Sequence, residues 1–351
     1  MRQKFYLIFD KNCNMSCIYC CQGQDKSACR SLNYVDPKKV ATYFPIQDDS
    51  KIIIFFGGEP FLYFDYMVDI AREIRKRDTN PNVELSVTTN GTLLTVERAK
   101  ILNDLDINVS FSHDGPAYEI TRKRKDILEV NPEPFVMLNK KKAICTVSKY
   151  NWNYFEVWDY FERFRNKYGL KEKICVNLNH LRCLDDSMDT SMMLYEHKPW
   201  EDMLDQVFKN LYDTICQNNY DTYEYGSYRL IFGRFLYQLN KDKITAFCEN
   251  EDTCTNVDVE GNLYDCNSSH IPVGHMSTGP IKLINHNIKT ELCQQCSVLR
   301  FCGGGCNKSP ANKLKYFCYT QKNEYIRMIE LLNKFIEFQN KGGKINGGSN
   351  I

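Results

Sequence analysis

A parallel α/β fold is what this sequence predicts, on three observations. Short β-branched and aromatic runs, KFYLIF at 4–9 and KIIIFF at 51–56 among them, read as strands buried on both faces. Six such strands alternate with helical stretches, the order of a parallel sheet covered by helices. The chemistry-bearing motifs each fall at the C-terminal end of a predicted strand, the edge where α/β folds bind ligands.

The first strand, 4–9, leads into Cys13-Asn14-Met15-Ser16-Cys17-Ile18-Tyr19-Cys20, and the second, 51–56, runs straight into Gly57-Gly58-Glu59-Pro60. A helix near 66–76, a strand at 83–88 ending in Thr89-Asn90-Gly91, and a helix near 96–105 follow. Strands at 107–112, 143–147 and 174–178 complete the six, with a helix around 154–168 between the last two. Ser112-His113-Asp114-Gly115 closes the fourth strand. Helical spacing returns at 200–215 and 228–239, and the Tyr-rich segment 220–226 reads either as the lining of a peptide groove or as a surface turn. A terminal helix at 325–338 precedes a Gly/Asn/Ser-rich end, 341–351, which reads as a disordered tail.

At 351 residues the chain suits one large domain plus a smaller one. Apolar content of 43% supports a real core, which excludes global disorder. Lys plus Arg number 45 against 44 for Asp plus Glu, so no global field argues for nucleic acid or an anionic membrane. No stretch approaches the ~18 apolar residues of a membrane span, and the start is too short for a signal sequence, so a cytoplasmic location is expected. Seventeen cysteines in such a chain argue for metal or redox chemistry rather than structural disulfides.

Cys13, Cys17 and Cys20 stand at C-x3-C-x2-C spacing on one tight loop. Three thiolates can hold three irons of a [4Fe-4S] cluster and leave the fourth without a protein ligand. A zinc site or plain thiols is the plainer alternative. The spacing, with Tyr19 just before the last cysteine, resembles the radical S-adenosylmethionine (radical SAM) superfamily. That resemblance implies a partial (β/α)6 barrel, SAM chelated at the open iron, and a 5′-deoxyadenosyl radical. It also implies SAM contacts at Tyr19, at Gly57, Gly58 and Glu59 for the amino group, at Asn90, and at Ser112. Arg124 would pair with the SAM carboxylate, with Arg122 and Lys123 adjoining it in one basic run, and Leu178 would wall the adenine.

From Cys248 the cysteines return. Cys254 and Cys266 follow, then Cys293-x2-Cys296-x5-Cys302-x3-Cys306 and Cys318. Eight cysteines suffice for two fully ligated [4Fe-4S] clusters, and two zinc sites are the competing reading. The pattern resembles the SPASM domain of radical SAM peptide and protein maturases. The resemblance implies one auxiliary cluster on Cys248, Cys254, Cys266 and Cys306, and a second on Cys293, Cys296, Cys302 and Cys318. Three [4Fe-4S] clusters and SAM are then the expected cofactors. The expected division is a radical SAM barrel at 1–187, a helical bridge at 188–246, a SPASM domain at 247–320, and a helix and tail at 321–351. Cys21, Cys29, Cys145, Cys175, Cys183 and Cys216 remain outside these sets, and Cys216 is a candidate hydrogen donor.

Two subfamilies share this architecture. Anaerobic sulfatase-maturating enzymes place a basic aspartate directly after the cysteine that here is Cys266. This chain has Asn267, and a neutral amide cannot accept a proton, unless Asp265 substitutes. The preferred expectation is therefore a maturase that crosslinks a ribosomally made peptide, with formylglycine formation second. Its partners would be the precursor peptide, a flavodoxin- or ferredoxin-type reductant, and a separate leader-binding protein, since there is no room for a leader-binding domain before Lys4. A multi-cluster electron-transfer or zinc scaffold is the non-enzymatic alternative.

Overall fold

The computed structural model describes residues 3–20, 32–46, 50–184, 186, 188–239, 254–269, 271–280, 291–306 and 308–342. The chain forms two compact units: Met1–His113, Tyr118–Ala143 and Glu249–Asn285 make the first, and Asp114–Ala117, Ile144–Cys248 and His286–Ile351 the second. Cys21, Cys29, Cys248 and the expected tail beyond residue 342 lie outside the described residues.

In the first unit β1 (Gln3–Ile8), β2 (Lys51–Phe56), β3 (Val83–Thr89) and β4 (Ile107–Ser112) lie side by side in chain order, all parallel. β5 (Lys141–Val147) carries the chain into the second unit, where β6 (Cys175–His180) neighbours it. All six predicted strands are present, so the fold is the predicted parallel-rich α/β type, and its order agrees with a TIM-type barrel. Leu7, Ile53, Phe55, Leu85, Val87, Val109 and Phe111 have no exposed surface, and burying each such side chain contributes about 1.5–3 kcal/mol. The near-continuous apolar runs are what strands covered on both faces require.

The helix Phe64–Arg77 shows how sequence sets these elements. Phe64, Met67, Ala71 and Ile74 recur at helical spacing and are buried, Asp65 sits in the first turn, and Arg75, Lys76 and Arg77 in the last. Both charge placements complement the helix dipole.

On the free side of β1 the sheet continues with strands that the pattern of apolar runs does not reveal. β7 (Cys254–Asp258) pairs parallel to β1, with Cys254 opposite Lys4 and Asp258 opposite Ile8. β8 (Asn262–Tyr264), β9 (Gly274–His275) and β10 (Gly279–Pro280) follow antiparallel. Asp258 closes the β7–β8 turn by accepting from the Glu260 and Asn262 amides at 3.0 and 2.9 Å, and Gly261 supplies the φ of +96° there.

The second unit holds the helices Tyr154–Lys167, Lys198–Cys216, Tyr223–Leu239 and Leu314–Asn340. The Trp158 indole donates to Ser227 Oγ at 3.1 Å, and Ser227 donates to the Val176 carbonyl at 2.8 Å, tying two helices to β6. Part of the Tyr-rich segment is helix: Tyr223 stacks on Trp158 and bonds Glu162. No described helix is long and apolar enough to cross a membrane.

Candidate functional site

The strand ends of β1 and β2 build the site. Asp10 follows β1 and turns the chain: its carboxylate accepts from the Asn12 amide at 2.9 Å, an Asx turn, and from Asn12 Nδ2 at 2.7 Å. The Tyr63 hydroxyl also donates to Asp10 Oδ2. Burial pushes the Asp10 carboxyl up, and burial together with the bond to Asp10 pushes Tyr63 up to about 12.

The Gly-Gly turn after β2 is pressed on this loop. The Gly58 amide donates to the Asp10 carbonyl and the Glu59 amide to the Asn12 carbonyl, both at 2.8 Å. The glycines therefore admit the backbone of residues 10–12 at closest approach.

Glu59 is 1% exposed, and both its oxygens are engaged. Oε1 accepts from Thr89 Oγ1 at 2.6 Å and Phe61 N at 2.9 Å, and Oε2 from Asn90 N at 2.6 Å. Burial raises its pKa, and these donors work against that rise. Its visible task is to lock the β3 edge to the β2 edge.

Cys13, Cys17 and Cys20 are all half-buried on the one loop. Cys13 Sγ accepts from the Met15 amide at 3.4 Å and from Asn90 Nδ2 at 3.6 Å. Asn90 also bonds Asn14, which reaches Thr92. Tyr19 is buried, with the Arg122 guanidinium 5.7 Å from its ring centre. Ser112 is half-buried at the end of β4, and exposed Arg124 donates to the Asn14 carbonyl at 2.5 Å. The donor set fits a cluster: three thiols with amide donors already aimed at one sulfur, an arrangement that favours thiolate.

The loop after β8 comes to the same place. Lys11 Nζ donates to the Asn267 carbonyl at 2.8 Å, so the residue after Cys266 is bonded to the residue two before Cys13. Asp265 is half-buried on this loop. Asp10, Lys11, Asn12 and Tyr63 are the functional residues that sequence reading missed. An Asp directly after a strand, two residues before an Asn amide, is the signal that was there to read.

In the second unit, Cys302 and Cys318 are pushed up to about 12 and about 11, first by burial and then by neighbouring sulfurs, Cys293 and Cys296 among them. Cys302 and Cys318 thus lie near Cys293 and Cys296, the other members of the expected set. Gly303, Gly304 and Gly305 sit at φ of +65°, +86° and +80°, which explains three glycines in succession beside it. Among the described residues, no three His, Cys, Asp or Glu side chains close on the point a single metal ion would occupy. A cubane would take four thiolates, the number of cysteines in this set.

Of the other expected set, Cys254 and Cys266 belong to the first unit and Cys306 to the second. Leu178 is buried on β6, and Cys216 ends its helix half-buried, its thiol pushed up by burial.

The site is a parallel sheet whose first strand ends in a three-cysteine loop clamped by the Gly-Gly turn after the second. The family profile described as the Radical SAM superfamily matches residues 7–133. The cysteine-type anaerobic sulfatase-maturating enzyme of Clostridium perfringens is 25% identical over 92% of this chain and 95% of its own. The radical SAM cyclopropyl synthase TigE of Paramaledivibacter caminithermalis is 20% identical over 94% and 73%. A shorter stretch, 29% of this chain, is 31% identical to an uncharacterized protein of Methanocaldococcus jannaschii, of whose length it covers only 35%. The solved structure of native anSMEcpe with bound AdoMet superposes with a TM-score of 0.70 at 19% identity, over 96% of this chain and 99% of that one. Residues 7–133 thus match the Radical SAM profile, and over nearly its whole length the chain is similar to an anaerobic sulfatase-maturating enzyme and to TigE.

Proposed function

We propose that this enzyme oxidises a residue of a ribosomally made peptide and closes a carbon-carbon, thioether or ether crosslink. The observation that carries the reading is Asn267: it stands after Cys266 where a formylglycine-forming enzyme would need a base, and its carbonyl is bonded to Lys11 beside the triad. Formylglycine formation is the second reading, favoured by the end-to-end likeness to a sulfatase maturase, with half-buried Asp265 as its base.

Cys13, Cys17 and Cys20 would hold the cluster that binds SAM. When bound, cluster and SAM supply a 5′-deoxyadenosyl radical that takes a hydrogen atom from the peptide. Tyr19, the Gly57-Gly58-Glu59 turn, Asn90, Ser112, Arg124 and Leu178 are the proposed SAM contacts. With both Glu59 oxygens engaged, the turn would act through its backbone carbonyls. Cys248, Cys254, Cys266 and Cys306 would hold one auxiliary cluster and Cys293, Cys296, Cys302 and Cys318 the other, taking the electron that the oxidation releases. The proposed partners are the peptide, a flavodoxin- or ferredoxin-type reductant and a leader-binding protein.

The test is product mass. Peptides from open reading frames adjoining the gene, and a cysteine-containing sulfatase peptide, are incubated with reconstituted protein, SAM and dithionite. Loss of two hydrogens with an internal link supports crosslinking. Conversion of Cys to formylglycine supports the second reading, and failure to form 5′-deoxyadenosine defeats both.

A further inference from the structure

An open cavity of ≈ 600 Å³ lies in the first unit, walled on one side by Asn14, Met15 and Ser16, the residues between Cys13 and Cys17. Four consecutive basic residues, 122–125, form its other wall. Net charge over the whole chain is only +1, so this is a local field rather than a share of a general one.

The strap is joined to the cysteine loop at three points. The Ile18 amide donates to the Thr121 carbonyl at 3.0 Å, Arg124 donates to the Asn14 carbonyl, and Arg122 lies over the Tyr19 ring beside Cys20. Arg122 is 5% exposed, whereas Lys123, Arg124 and Lys125 face solvent. Lys123 is held at φ +53°, a left-handed conformation that costs a residue with a Cβ and marks a constrained, presented turn.

Two carboxylates adjoin this run. Glu119 stands 3.5 Å from Lys125, and Asp126 is buried against His113. Val130, 64% exposed, adds an apolar contact to the basic rim, and Ile120, 57% exposed, adds another nearby. A basic rim with scattered apolar contacts suits an acidic protein partner that associates briefly.

We propose that Lys123 and Lys125, the exposed lysines of this strap, form the docking surface for an acidic one-electron carrier of flavodoxin or ferredoxin type. This deepens the proposed function and rests on its radical SAM chemistry. The reduced carrier would give up one electron, which a cluster held by Cys13, Cys17 and Cys20 would take up. No bond is made or broken in that step. Two hydrogen bonds and the Arg122–Tyr19 contact lead inward from the docking face to the cysteine loop.

The test compares two reductants on reconstituted protein with SAM, reading 5′-deoxyadenosine. The variants are Lys125→Glu and the pair K123E/K125E, both at exposed positions. With reduced flavodoxin at about 50 mM salt, the pair should be slower by about tenfold or more. With dithionite, which needs no docking, its rate should match the parent protein. Raising salt to about 300 mM should slow the flavodoxin reaction of the parent and leave that of the pair little changed.

Equal flavodoxin rates in parent and pair would overturn the proposal. Loss of the dithionite rate in the pair would also overturn it, placing the strap in the cofactor site or the fold. A pair that keeps both rates but no longer modifies peptide would assign the strap to the peptide instead. No 5′-deoxyadenosine from the parent with dithionite would sink the radical SAM chemistry itself.

Discussion

A Cβ placed on Gly58 would stand 2.1 Å from the carbonyl oxygen of Asn12. The turn after β2 and the cysteine loop after β1 thus fit together only with glycine at this position, because the obstacle is backbone and cannot swing away. Gly58→Ala should force the two loops apart and break the bonds from the Gly58 and Glu59 amides. We expect a loss of about 2–4 kcal/mol in unfolding free energy of the metal-free protein, and loss of the radical SAM cluster. Iron content and 5′-deoxyadenosine yield check this. Full cluster loading in the variant would show that the loops move independently.

Glu59 is fixed by donors on both oxygens, so Glu59→Gln sets an amide NH2 against one of the backbone N–H groups. A buried donor facing a donor should cost about 1–3 kcal/mol. The pH dependence has a definite sign. The folded pKa is raised by burial, so folding favours the protonated form. That contribution is whole below the unfolded value of 4.5 and is lost as pH rises through the raised folded value. The gap between parent and variant, measured by urea unfolding, should therefore narrow as pH rises above about 4.5. A gap that widens would mean the carboxylate is more solvated than its contacts indicate.

The thiols of Cys302 and Cys318 give the opposite end of the pH scale. Burial and neighbouring sulfurs raise both above 9.0, so the folded metal-free protein holds these protons more tightly than the unfolded chain does. The resulting stability is complete below about pH 9 and falls away as pH rises towards about 11 and 12. Cys318→Ala should flatten that alkaline fall in unfolding experiments. In the reconstituted protein it should remove about four of about twelve irons, while 5′-deoxyadenosine formation without peptide persists. Loss of all iron would contradict separate sites.

Cysteine spacing, six apolar runs and the Gly-Gly turn were legible because each is local in sequence: a thiolate loop, a buried strand and a close approach need neighbours only a few residues apart. What escaped is non-local. CTNVD and NLY are too short to read as strands, and they become β7 and β8 only because β1 offers an edge to pair with. The engagement of Glu59 by Thr89 and Asn90 depends on β3 lying beside β2. Lys11 meets Asn267 across 256 residues of chain, a distance at which no spacing rule speaks.

The second unit contains a polar cluster that no motif announced. His180 Nε2 stands 3.0 Å from Glu324 Oε2, with both side chains 7% exposed. The contact is close without being an aligned hydrogen bond. Tyr228 donates to Glu324 Oε1 at 3.0 Å, and the Trp200 indole donates to the Tyr154 hydroxyl at 3.2 Å. Burial first, and the Glu324 charge second, push Tyr154 and Tyr228 well above the usual phenol range. Removing the carboxylate leaves the buried Tyr228 hydroxyl without its acceptor, whereas removing hydroxyl and carboxylate together does not. Glu324→Ala should therefore cost about 1–3 kcal/mol, and the double variant Y228F/E324L should recover part of that loss. Guanidinium unfolding of the metal-free proteins decides the matter. A double variant as unstable as Glu324→Ala would mean that lost packing, rather than the Tyr228 hydroxyl left without its acceptor, accounts for the loss.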